Sequence, residues 1–199
     1  MNKQSFFLLS AFVLFTSIFL TSHEVSAQSK YDVYLGGSYS PRSFNSDFLD
    51  ESLESTSFLF GDFIAIKSRE QGFGVGPRVG IWYGGSDFTD GSGSFEQIGA
   101  LVGLFFNYKI GLQRFALVPS VTFGLPYTRV TVSDQSGDVL ADDEGTFGFY
   151  TSLGGMIAYN DVFGVYIEQS SFFSEAEGVD VGSSGIEFGL RFWTTNIEL

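Results

Sequence analysis

Residues 183–193 read SSGIEFGLRFW. Along an extended chain, Ile186, Phe188, Leu190 and Phe192 fall on one side, and Gly185, Glu187, Gly189 and Arg191 on the other. Side chains alternate across a strand with a period of two, so this stretch reads as a strand with one apolar face. The second face decides the class. A water-facing surface would be rich in charges, yet this face holds glycines and two isolated charges of opposite sign. It suits a crowded interior, which leaves the apolar face to meet lipid.

The same pattern recurs upstream. Phe73, Val75, Val79 and Ile81 oppose Gly74, Gly76, Arg78 and Gly80. Phe147, Phe149, Leu153, Ile157 and Tyr159 oppose Gly148, Tyr150, Ser152, Gly154 and Ala158. Phe163, Val165 and Ile167 oppose Gly164, Tyr166, Glu168 and Ser170. Eight β-segments are predicted, at 30–40, 57–67, 72–83, 95–107, 114–131, 146–159, 163–173 and 183–193. The connections between them (41–56, 68–71, 84–94, 108–113, 132–145, 160–162 and 174–182) alternate long and short. A barrel whose chain ends lie on one side of an outer membrane has that rhythm, with long loops outside and tight turns inside. The expected fold is all-β: an eight-stranded antiparallel up-and-down transmembrane β-barrel. A soluble ligand-binding barrel is the outside alternative.

Residues 1–27 are expected to be a cleaved signal peptide, leaving 28–199 as the barrel domain. Lys3 supplies a positive charge, Phe6 to Leu20 form a mostly apolar run, and Val25-Ser26-Ala27 offers small residues for cleavage. The run is short of the roughly 20 residues that a spanning helix needs. The rest of the chain has nothing longer than the apolar stretch Ile98–Phe106, so a membrane protein built from it must close into a barrel.

The whole chain carries 25 glycines, 24 phenylalanines and a formal charge of −13. Disorder is excluded by the aromatic content. Nucleic-acid binding is disfavoured, because no basic cluster is present. There is no cysteine, hence no disulfide and no acylated cysteine. The single histidine, His23, lies inside the predicted signal. Without histidine or cysteine, the usual acid–base, nucleophile and imidazole-ligand chemistry is missing. The reading is therefore a non-enzyme with no catalytic residues, no metal ligands and no cofactor. Lys30, Lys67 and Lys109 sit near the short-turn ends rather than in a cleft.

The signal, the eight segments, the loop rhythm and the glycine–aromatic strands together resemble the small outer-membrane β-barrel family of Gram-negative bacteria (OmpA/OmpX-type and related porin-family domains). The resemblance covers the mature chain as a pattern. Its most specific piece is Ser183–Leu190, which looks like the carboxy-terminal signal read by the barrel assembly machinery, with Gly185, Phe188, Leu190 and Phe192 as its key positions. The chain departs from the family's aromatic ending, since Thr194–Leu199 follow Trp193. The resemblance implies outer-membrane localisation, outer-membrane lipid and lipopolysaccharide as surroundings, and a monomer. No peptidoglycan-binding domain follows the strands, so cell-wall tethering is not expected.

Asp32, Arg78, Glu168, Glu187 and Arg191 are predicted to form a lumen charge cluster, with Asp62 inside the barrel or at a bulge. Such charges must pair, because unpaired burial is costly. The pairs read either as a plug or as a gate on a narrow passive channel. Asp134, Asp138, Asp142, Asp143 and Glu144, with Asp47, Asp50, Glu51, Glu54, Glu175, Glu177 and Asp180, make the long connections acidic. They read as a solvated rim, or as sites for divalent cations between loop and lipopolysaccharide phosphate. Aromatics near strand ends (Tyr31, Tyr39, Tyr83, Phe95, Phe106, Tyr108, Tyr127, Phe147, Tyr159, Phe173 and Trp193) are candidates for two interfacial girdles. Pro77, Pro119 and Pro126 fall inside predicted strands, and imply bulges or displaced boundaries.

Overall fold

The computed structural model describes residues 30–44, 56–67, 71–142, 145–176, 179–180 and 182–198. The predicted signal peptide, the first acidic connection with Asp47, Asp50, Glu51 and Glu54, and Asp143, Glu144 and Glu177 lie outside the described residues. Eight long strands form the wall: β1 (Lys30–Phe44), β2 (Thr56–Lys67), β3 (Gly72–Asp87), β4 (Gly93–Leu112), β5 (Phe115–Asp134), β6 (Phe149–Tyr159), β7 (Phe163–Phe173) and β8 (Ser183–Glu198). Each pairs antiparallel with its neighbours in sequence. β8 then pairs with β1, from Lys30↔Glu198 to Phe44↔Ser183, and closes the barrel. Short strands Val139–Asp142 and Thr146–Phe147 extend the sheet beside β5, and Glu175–Ala176 pairs with Val179–Asp180 above β7 and β8.

Several strands run past their predicted ends. The connection expected over 108–113 is only 113–114, that over 84–94 is 88–92, and β8 continues beyond residue 193. The overhangs are polar (Ser86-Asp87, Asn107 to Lys109, Thr194 to Glu198) and so resemble loops in sequence. They remain strands because the backbone ladder continues through them, whatever their side-chain polarity. At the short end, Asn160 and Asp161 both take positive φ (50° and 53°), and Val162 N donates to Tyr159 O at 3.1 Å. This is a type I′ turn, whose twist suits a tight hairpin, and Asn and Asp tolerate that backbone region.

The prolines mark neither bulges nor strand ends. Among the described residues, the β2–β3 pairing stops at Ile64↔Arg78, one residue before Pro77. The β4–β5 pairing skips Pro119, and the β5–β6 pairing skips Pro126. Pro41, which the sequence reading put in a connection, lies in β1 where the β1–β8 pairing skips two positions. In each skipped ladder the register is the same on both sides of the gap. A proline removes one donor, and each of these strands leaves one ladder locally open at that point while keeping the other. Gly148 N still donates to Pro126 O at 3.0 Å.

The outward face is apolar. On β5, Phe115, Leu117, Pro119, Val121, Phe123, Leu125 and Tyr127 follow one another outward before the first charge, Arg129. The twelve steps from Phe115 to Tyr127 at about 3.4 Å each, tilted about 45°, give a band on the order of 29 Å, close to the apolar height of outer-membrane barrels. Tyr39, Tyr83, Phe147, Phe149 and Phe173 border the band at one end, and Phe73, Tyr108, Phe115 and Phe163 at the other. Two predicted girdle members are corrected. Phe95 and Trp193 are 1% and 4% exposed and point into the lumen, because strand parity, not nearness to a strand end, sets the face.

Leu153 lies opposite Val121 at mid-band and is 69% exposed on the outer face. Leu153→Arg is expected to destabilise the barrel by about 2–4 kcal/mol in vesicles, measured by reversible urea unfolding.

Candidate functional site: a charged layer inside the barrel

The lumen is filled in three layers. Toward the long connections, Phe44, Phe58, Trp82, Phe95, Leu101, Val130, Tyr150 and Phe172 form one apolar cluster. Toward the short turns, Tyr34, Ile64, Ile66, Phe105, Met156, Tyr166 and Trp193 belong to a second. This explains why β2 lacks clean alternation. Phe58, Ile64 and Ile66 point inward with Asp62, so that strand is apolar on both faces.

Between the clusters lies a layer of ion pairs. Arg78 Nη1 reaches Glu168 Oε2 at 2.8 Å, and Arg78 Nη2 reaches Asp62 Oδ2 at 2.9 Å. Arg191 Nη1 reaches Glu168 Oε1 at 2.7 Å, and Arg191 Nη2 reaches Asp62 Oδ2 at 2.8 Å. Asp62 and Glu168 thus each bridge the same two guanidinium groups. Glu187 lies 3.7 Å from Arg78 and accepts from Tyr150 Oη at 3.2 Å. Arg42 closes the layer from above. Its Nη1 is 3.9 Å from Glu187, its guanidinium donates to Ser170 and Ser183, and Phe172 lies 4.6 Å beneath its plane. Arg191 packs against Tyr166 in the same way, at 3.8 Å. Three arginines therefore face three carboxylates in a layer with no net formal charge.

Glycine makes room for the layer. Asp62 lies opposite Gly36 on one side and Gly80 on the other, and Arg191 lies between Gly36 and Gly164. A Cβ on Gly36 would collide with Asp62 Oδ1 and come within 2.8 Å of Arg191 Cγ. A Cβ on Gly154 would come within 2.8 Å of Glu168 Cγ. The inward glycines that distinguished this sequence are the space into which charged side chains fold.

Of the predicted cluster, Arg78, Glu168, Glu187 and Arg191 come together, and Asp62 joins them without a bulge. Asp32 is buried but is not in the layer. It pairs with Ile66, four residues below Gly36 on β1, or about 13 Å along the strand. Arg42 was missed because it follows Pro41 in a stretch read as loop. It keeps the inward parity of Asp32, Tyr34, Ser38 and Ser40, and extending the alternation through Pro41 would have found it. Lys109 sits near the short-turn end as expected, yet it is only 7% exposed, points into the barrel mouth, and bonds Asp161 at 2.9 Å.

No family model matches the sequence, and no curated protein matches it. Solved structures do match in fold. Neisserial surface protein A superposes with a TM-score of 0.53 at 14% identity, covering 82% of this chain and 96% of its own. The fold is that of the small Gram-negative outer-membrane β-barrels. Ail, the attachment invasion locus protein of Yersinia pestis, solved with the heparin analogue sucrose octasulfate, gives 0.49 at 14% identity, over 83% of this chain and all of its own. The outer membrane enzyme PagL gives 0.48 at 8% identity, over 80% of this chain and 98% of its own. At these identities the likeness is one of fold alone.

In this small outer-membrane barrel fold, the positions read as an assembly signal belong to the closing strand. Phe188, Leu190 and Phe192 are exposed on the outer face. Gly185 lies opposite Arg42, and a Cβ there would come within 2.9 Å of Arg42 Cγ. Among the acidic residues, Asp134 ends β5 and organises its own turn. Its Oδ1 accepts from Ser136 N, Ser136 Oγ and Asp138 N at 2.8, 2.7 and 2.9 Å. Asp138 accepts from Ser136 Oγ at 3.3 Å, and Asp142 ends the short strand beside β5. Among the described residues, no three acidic side chains converge as metal ligands.

Removing one arginine leaves three carboxylates facing two guanidinium groups, with one buried negative charge in excess. Arg78→Met is expected to cost about 3–5 kcal/mol by urea unfolding, and Arg78→Met with Glu168→Gln to recover part of that loss, since removing both partners removes the unpaired charge. The hydroxyl of Ser136 and the neighbouring backbone donors hold the Asp134 carboxyl below the usual aspartate range. A depressed folded value contributes stability above the unfolded pKa, and that contribution is lost as pH falls through the folded one. The Asp134 carboxyl carbon should therefore titrate by NMR below pH 3.9, the ordinary aspartate value, and Ser136→Ala should move it upward.

Proposed function

We propose that the chain is exported through a cleaved signal at residues 1–27 and inserted into the outer membrane by the barrel assembly machinery, with Gly185, Phe188, Leu190 and Phe192 as recognition positions. There it acts as a sealed, non-enzymatic wall element whose acidic long connections meet external partners. The observation that carries this reading is the lumen. A neutral layer of three arginines and three carboxylates, with apolar clusters above and below it, occupies the lumen. An eight-stranded barrel has an interior just wide enough for side chains to fill, and here large side chains fill it.

The absence of histidine after His23 and of any cysteine speaks against lipid-editing chemistry of the kind that an outer-membrane barrel enzyme needs. The segments 45–55, 87–96, 134–144 and 174–182 carry four, three, five and three acidic residues and no lysine or arginine. External recognition therefore favours cationic partners and disfavours nucleic acid.

Membrane fractionation should place the protein in the outer membrane, with faster gel migration unheated than boiled. Wild-type protein in planar bilayers should give no stable conducting steps. Reproducible openings of the wild type would replace this reading with that of a passive channel.

A further inference from the structure

The upper part of the lumen holds three polar atoms that the chain itself does not satisfy. Among the described residues, Trp82 Nε1, Gln97 Oε1 and Thr128 Oγ1 are buried without a hydrogen-bond partner. Trp82 belongs to the upper apolar cluster. Gln97 lies on β4 between Phe95 and Leu101, and Thr128 lies on β5 two residues before Val130, all three of them members of that cluster. The three polar atoms therefore stand outside the charged layer, on the side of the long connections.

Strand register brings the three together. Trp82 lies opposite Gly99, and Gly99 opposite Thr128. Directly opposite residues have Cβ positions about 5 Å apart, so Thr128 flanks the point above Gly99. Gln97 is two residues away on the same face of β4, about 7 Å along the strand, and its side chain is long. The indole lies across Gly99, where a Cβ would collide with ring atoms Cε2, Cζ2 and Cη2. Cε2 is bonded to Nε1, so the indole N–H stands beside the same glycine. Ring centroids of Phe172 at 4.5 Å and Phe60 at 6.3 Å wedge the indole in that position.

We propose that one ordered water is bound beside Gly99, accepting from Trp82 Nε1, donating to Gln97 Oε1 and bonding Thr128 Oγ1. An indole N–H only donates, an amide oxygen only accepts, and a hydroxyl does both. The indole donor disfavours a cation, and the amide oxygen disfavours an anion. Water donates and accepts, and three bonds are the usual number for a buried one. Without it, each polar atom would bear its desolvation penalty in an apolar cluster. Glycine at 99 makes the site, because any side chain there would meet the indole. The water joins β3, β4 and β5 across a row in which β4 contributes no side chain. The site depends on the closed fold and not on the proposed role of the barrel.

Water-selected NMR on the refolded protein in micelles, with nitrogen-labelled tryptophan, tests the site. Trp82 and Trp193 are the two tryptophans of the chain, and Trp193→Phe assigns their indole signals. The Trp82 indole proton should show a cross-peak to water with the sign of a long-lived bound molecule. That cross-peak should persist in Thr128→Val, where Trp82 and Gln97 still hold the water. It should vanish when Gln97→Leu is combined with Thr128→Val, which leaves the indole as the sole polar group. No cross-peak in the wild type would overturn the site, and this measurement needs no variant. Loss in Thr128→Val alone would trace the signal to exchange of the hydroxyl proton and overturn it too, as would persistence in the double variant. Heat-modifiable mobility, read on the same samples, verifies that each variant is a folded barrel.

Discussion

Hydrocarbon offers no partner for a backbone N–H or C=O, and each one left unsatisfied costs several kcal/mol. The pairing of β8 with β1 meets that constraint, because it turns an open sheet with two bare edges into a wall with none. The remaining features are arranged around it. Outward positions must be apolar over the height of the membrane, inward positions must fill a fixed narrow volume, and donors can be lost only locally. The four prolines show how local that is. Each leaves one ladder open at its own position, and in the three ladders that resume beyond the proline the register is unchanged.

The closed wall fixes what the interior can hold. Burying six charged groups is expensive, and their mutual attraction offsets that cost only when geometry and hydrogen bonding are good. Here Asp62 and Glu168 each bridge Arg78 and Arg191, while Ser152, Thr122, Ser170 and Ser183 take up further hydrogen bonds. Apolar clusters lie on both sides of the layer, and low local polarity strengthens each pair and raises the cost of breaking it. The layer fills the lumen between the two apolar clusters.

Much of this was legible from the chain. The alternation in SSGIEFGLRFW places Glu187 and Arg191 inside and Phe188 and Leu190 outside, as the structure has them. Reading failed where polarity and position misled. Arg42 follows a proline in a polar stretch, which reads as loop. Phe95 and Trp193 lie near predicted strand ends, where girdle residues are expected, although parity turns them inward. The polar ends of β3, β4 and β8 resemble turns in sequence while remaining in the sheet.

The sequence by itself determined which face each side chain takes, because strand parity is a local property of the backbone. Tertiary structure alone decided which inward residues meet. Gly36 stands between Asp62 and Arg191 only because the β1–β2 and β1–β8 registers bring both to its level. Asp32, on the same face of the same strand, falls four residues away from that layer. Register is set by the closure of all eight strands together, and no single strand encodes it.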